Sequence, residues 1–149
     1  MRHMNKSTTN FWVDAGLFAL LLVTILAATV EILLPCFVHV ILGLLLSAGA
    51  LIHVALHWNW ICNAFSRFGK LPPQVRTNFV LNLGLFLTYS AAGSMGLFAR
   101  SLIGLGPLRH VVGFFHVLLV MGVLLLQTIH LARHWKWVTA TARKVFELA

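Results

Sequence analysis

The sequence predicts an all-α membrane protein, a four-transmembrane-helix bundle built from two repeated two-helix units. Three observations predict it. The chain has 149 residues, 60% of them hydrophobic, with a mean hydropathy of +0.91 and only three acids. That is more apolar surface than a soluble domain of this length can hide. Four long apolar segments follow one another, Phe11–Leu34, Cys36–Ile61, Phe79–Ile103 and Val111–Leu131, and each reaches the roughly 20 apolar residues a span requires. Finally, residues 37–60 and 114–137 are two copies of one segment, sharing ten of 24 positions at an offset of 77.

The first segment reads as a span rather than a cleaved signal peptide. Its apolar core exceeds the usual ~7–15 residues, and Pro35 and a second apolar run follow it directly. The formal charge of +8 follows topology and does not indicate nucleic-acid binding. Arg2 and Lys6 lie in the N-terminal tail, Arg67, Lys70 and Arg76 after the second segment, and Arg133, Lys136, Arg143 and Lys144 at the C-terminal end. Arg100 and Arg109 alone are left for the other side. The positive-inside rule then places both termini and the middle loop in the cytoplasm, with Trp58, Trp60, Trp135 and Trp137 at the inner interface. The expected location is a prokaryotic inner membrane.

The odd segments repeat as well. Asn10-Phe11-x4-Gly16-Leu17-Phe18 recurs as Asn78-Phe79-x4-Gly84-Leu85-Phe86, with Asp14 matched by Asn82, at an offset of 68. The single membrane domain, 1–149, thus divides into repeat one, 10–66, and repeat two, 78–143. The change of offset from 68 to 77 puts nine extra residues into the second copy's connection. That stretch contains Arg100, Gly104, Gly106, Pro107, Arg109 and His110, and its glycines and proline predict a turn-rich loop. With two spans per copy, the second and fourth helices run parallel and place equivalent residues at equal depth.

Three of the shared positions are histidines: His39-x13-His53-x3-His57 recurs as His116-x13-His130-x3-His134. Fourteen helical steps fall about 40° short of four turns and rise roughly 21 Å. His39 and His53 therefore share a face at two depths, as do His116 and His130. Ionisable groups are costly in lipid and mark function there by default. A lone histidine in a span reads equally well as a satisfied interior group, but six in matched register point to ligands held between two helices. Haem is the best candidate: His39 with His116 would hold the iron of an outer haem, and His53 with His130 that of an inner one. Two axial histidines leave iron six-coordinate, a state suited to electron transfer. Cys36 and Cys62 form no CxxCH attachment motif, so the expectation is two non-covalent b haems.

His57 and His134 lie one turn further, beside the tryptophans, and are the alternative inner ligands. In the favoured arrangement they bond a propionate, a headgroup or another polar group. A bare metal on His-x3-His is the competing chemistry, but no acid or cysteine lies within a turn except Cys62, five residues on. An HExxH peptidase is excluded because Val-Ala-Leu separates His53 from His57. Glu31, with Arg109 and His110, forms the one candidate quinone or proton-handling cluster, although Glu31 reads equally as a loop residue and His110 as solvent-facing. Gly43, Gly49, Gly93, Gly96 and Gly113 stand near the histidines or within the third span, where small residues permit close approach.

The segments His39-Val-Ile-Leu-Gly43 and His53-Val-Ala-Leu-His57-Trp-Asn-Trp60, with their second copy from His116 to Trp137, resemble the flavinylation-associated cytochromes, a cytochrome b-like four-helix membrane family formerly labelled a domain of unknown function. Val120 stands in the second copy where the first has Gly43. With the odd spans, the resemblance covers nearly the whole chain. The paired 14-residue spacing is also similar to the two-haem arrangement of quinol-oxidising cytochrome b subunits. These resemblances imply transmembrane electron transfer among quinone, haem and a partner redox subunit, which would be a flavoprotein, an iron–sulfur protein or a multihaem cytochrome.

The expected function is that of a di-haem b-type cytochrome subunit of an oxidoreductase complex rather than a stand-alone enzyme. No flavin, nucleotide or iron–sulfur motif is present in the chain. Two other classes stand as alternatives: a cofactor-free membrane anchor or assembly subunit, and a small His-lined metal-ion permease. Paired histidines argue against the first and acid-poor spans against the second.

Overall fold

A computed structural model describes residues 6–30, 36–102 and 105–147. Among them are five α-helices and no strand: α1 (Lys6–Thr29), α2 (Cys36–Leu56), α3 (Trp58–Ser66), α4 (Pro73–Ser101) and α5 (Gly106–Glu147). Four of these are long and apolar enough to cross a membrane, namely Thr8–Thr29 within α1, Phe37–Leu56 within α2, α4 and α5. The all-α membrane architecture expected from the sequence is the one observed.

Few side chains are buried. The apolar core among the described residues consists of Phe11, Ala27, Leu46, Ala64, Phe79, Ala92, Leu102, Val112 and Val123. Phe37, Leu51, Ile52, Phe114 and Leu125 stand more than half exposed. In water such a surface would aggregate, whereas in lipid it is the solvated face. The hydroxyls within the spans avoid an unsatisfied donor by bonding back along their own helices. Thr24 Oγ1 donates to Leu20 O at 2.7 Å, Ser47 Oγ to Gly43 O at 2.8 Å and Thr88 Oγ1 to Gly84 O at 2.8 Å, the satisfaction that a hydrocarbon medium demands.

The residues group into two compact units, Met1–Asn59 with His134–Ala149, and Trp60–Arg133. In the first, α1 and α2 form an antiparallel hairpin: Asp14 meets His53, Leu17 meets Gly49, and Thr24 meets His39. The Trp12 ring also meets Phe146 edge-on, with centroids 6.3 Å apart. In the second, α4 and α5 repeat the hairpin through Asn82 with His130, Thr88 with Gly122, and Ala92 with His116. A 3-10 turn at Phe68–Lys70 follows α3, and its Phe68 ring stacks near Phe79, as does Trp60 of α3.

Several boundaries differ from those read in the sequence. The second span is not continuous to Ile61. It breaks at His57, whose N–H is shared between His53 O at 3.2 Å and Val54 O at 3.1 Å. The equivalent His134 lies inside an unbroken helix. Copy one follows its Trp with Asn59 where copy two has Lys136, and asparagine is the poorer helix former. The fourth helix does not stop at Leu131 but runs through 42 residues to Glu147, because no glycine or proline interrupts 132–147. The third span begins at Pro73 rather than Phe79, since a proline in the first turn forfeits no hydrogen bond.

The turn-rich loop expected between the second copy's helices is also corrected. Gly106, Pro107, Arg109 and His110 lie in the first turns of α5 and Arg100 in the last turn of α4, while Gly104 is outside the described residues. The position equivalent to Thr29 is Leu97, and α4 continues four residues past it. The position equivalent to Cys36 is Gly113, and α5 starts seven residues before it. The insertion therefore lengthens the helices. Pro107 near the start of α5 initiates the helix instead of breaking it.

Candidate functional site

Four of the six repeated histidines are tethered through the same ring atom to the preceding helix. His39 Nδ1 lies 2.9 Å from the carbonyl oxygen of Thr24, and His116 Nδ1 lies 2.8 Å from that of Ala92. Thr24 and Ala92 are themselves equivalent at the offset of 68. One level further along each hairpin, His53 Nδ1 stands 2.8 Å from Asp14 Oδ1, and His130 Nδ1 stands 2.9 Å from Asn82 Oδ1. Asp14 and Asn82 are again equivalent. The duplication thus extends from the histidines to the atoms that orient them.

The chemistry of these partners fixes the tautomer. A carbonyl oxygen has no proton to give, so Nδ1 of His39 and of His116 must donate, and in the neutral ring the lone pair then resides on Nε2. Asn82 Oδ1 imposes the same tautomer on His130, whereas His53 Nδ1 and Asp14 Oδ1 lie within ion-pair distance without hydrogen-bond geometry. This is the arrangement common to metal-bound histidines, in which one nitrogen ligates while the other donates to a carbonyl or carboxylate. The Nδ1 side of His39, His116 and His130 matches that arrangement. The rings are tethered without being enclosed: 35% of the His53 side chain stays accessible.

A close helix approach holds His116 in place. A methyl group added at Gly96 would come within 2.9 Å of His116 Cε1 and 3.0 Å of its Nδ1, so this face of α4 accepts the imidazole only because residue 96 has no side chain. Gly49 plays a related part in the first hairpin, where a Cβ would meet Leu17 Cδ2 at 2.7 Å. Gly43, Gly93 and Gly113 have no such neighbour within 4 Å. Their presence beside the histidines in sequence therefore corresponds to no close contact.

His57 and His134 lie one helical turn further along. His57 lies at the break between α2 and α3, its ring centroid 4.7 Å from that of His53. His134 is half-buried within α5. Arg109 and His110 are exposed in the first turns of α5, and Glu31, their expected partner, lies outside the described residues. Among the described residues no group of three or more His, Cys, Asp or Glu side chains is arranged to hold a bare metal ion.

The sequence displays the repeated histidines but not the atoms they meet. Asp14 stands out there only as the repeat equivalent of Asn82, and no acid lies within a turn of His53 on its own helix. The signal was a polar residue matched by a polar residue inside two apolar spans. The Thr24 and Ala92 carbonyls carry no side-chain signature at all. Comparison with family models, curated proteins and solved structures finds no match, so the site is argued from its own geometry.

Proposed function

We propose that the chain is a di-haem b-type cytochrome subunit that moves electrons within or across a membrane, between quinone or quinol and a partner redox subunit. The observation that carries this reading is the repeated placement of Nδ1 against an oxygen of the preceding helix in His39, His116, His53 and His130. Ligation through one ring nitrogen is favoured when the other is held by an oxygen, and His39, His116 and His130 each hold Nδ1 that way, with His53 Nδ1 beside Asp14 Oδ1.

In this reading His39 and His116 hold one haem, and His53 and His130 hold the other, the pairing given by the sequence repeat. A haem so ligated supplies reversible one-electron chemistry. The Thr24 and Ala92 carbonyls and the Asp14 and Asn82 side chains keep the imidazoles oriented. Asp14 places a carboxylate beside one ligand where Asn82 offers a neutral amide, so the two copies are not electrostatically equal. The proposed setting is a prokaryotic inner membrane with both termini cytoplasmic. The partner subunit would be a flavoprotein, an iron–sulfur protein or a multihaem cytochrome.

A dithionite-reduced minus oxidised visible spectrum of the purified protein tests the reading. It should show the sharp α-band of a low-spin b haem. A protein purified from haem-replete cells with no such band would be an anchor or a permease instead.

A further inference from the structure

Beyond the histidines, the second unit has an open cavity of about 420 Å³ lined by Gln74 and Asn78 of α4 and Arg133 of α5. Its volume falls within the range of small-ligand pockets, about 300–1,000 Å³. Arg133 Nε donates to Asn78 Oδ1 at 2.6 Å, so the guanidinium is pinned by one nitrogen while its two terminal amino groups remain as a planar pair of donors. Asn78 is a neutral partner and leaves the charge on Arg133 uncompensated. The whole of 60–133 contains no aspartate or glutamate, so the unit has no carboxylate of its own with which to neutralise it.

We propose that this cavity binds a phosphate oxyanion, supplied by the headgroup of an anionic phospholipid. A pinned guanidinium suits a phosphate because two parallel N–H donors match two of its oxygens, and the Gln74 amide adds a further donor at the rim. The depth is also that of a headgroup. Gln74 is the second residue of α4, and Arg133 follows the last long apolar run of α5, so the cavity lies where the spans turn polar. Copy one lacks the site: Lys6 and Leu56 occupy the positions equivalent to Gln74 and Arg133. The repeat therefore supplies the natural control substitution, Arg133→Leu.

The test is native mass spectrometry of the full-length protein, released from mixed vesicles of phosphatidylglycerol and phosphatidylcholine, with or without added inorganic phosphate. Wild type should retain phosphatidylglycerol, and Arg133→Leu should retain about tenfold less, the loss expected for a charged hydrogen-bonding group. Arg133→Lys should fall between them, because it keeps the charge and loses the planar fork. Asn78→Asp, nearly isosteric, places a carboxylate against Arg133 and should also release the lipid, which separates loss of the site from loss of the fold. Displacement by millimolar inorganic phosphate would support the oxyanion site and assign it to a soluble phosphate compound. Equal retention by wild type, Arg133→Leu and Asn78→Asp would overturn the proposal. The outcome does not depend on haem content.

Discussion

His53 Nδ1 stands 2.8 Å from Asp14 Oδ1, and at the matched position of the second hairpin His130 Nδ1 stands 2.9 Å from Asn82 Oδ1. Similar distances with unequal charge separate two jobs that the partner of a proposed ligand would perform. Orientation needs only an acceptor, which both residues supply, whereas extra electron donation to the ligand needs the carboxylate. Asp14→Asn should therefore keep haem bound and raise its midpoint potential, since removing a negative charge favours the reduced state. Asp14→Ala and Asn82→Ala remove the acceptor and should weaken haem retention about 10- to 100-fold. Redox titration and haem content of the three variants check this.

Gly96 gives a test at a position with no polar chemistry. Gly96→Val should push the His116 ring off the Ala92 carbonyl, because even a Cβ would lie 2.9 Å from Cε1. The expected cost is about 1–3 kcal/mol of stability, with loss of the same haem that His116→Ala removes. Gly93→Ala, with nothing within 4 Å of its added Cβ, should change neither. Thermal unfolding followed alongside the visible spectrum distinguishes the two.

Much of this was legible in the sequence. Four apolar runs give the number of spans, and a repeat carried by His39, His53 and His57 gives the candidate ligands, because period and polarity are local properties. The extent of α5 was not, since helix formation past Leu131 needs no apolar pattern, only the absence of a breaker. Pro107 is ambiguous in sequence for a related reason: proline breaks a helix from within but starts one from its first turn. Nor could the sequence show that Thr24 and Ala92 accept from histidine, because every residue has a carbonyl and only packing selects one.

Ligand pairing across the copies makes a prediction about single variants. His39→Ala and His116→Ala should remove the same haem and leave the other spectroscopically intact, and His53→Ala and His130→Ala should together define the second. His57→Ala and His134→Ala should keep both haems while shifting a potential. Retention of the second haem in His53→Ala with its loss in His57→Ala and His134→Ala would move the ligands one helical turn along. Low-temperature spectra and electron paramagnetic resonance report each haem separately.

The cation distribution, nine against two, makes a prediction about sidedness. Reporter fusions at either terminus should be active only in the cytoplasm, and a reporter inserted at Gly104–Gly106 only outside it. Termini on opposite sides would contradict an even number of spans.

The pyridine haemochrome assay, on protein purified from haem-replete cells, should return two haem b per chain, both extracted by acid–acetone because no CxxCH motif tethers them. A protein that contains no haem, yet is folded and inserted in the membrane, would contradict the di-haem reading.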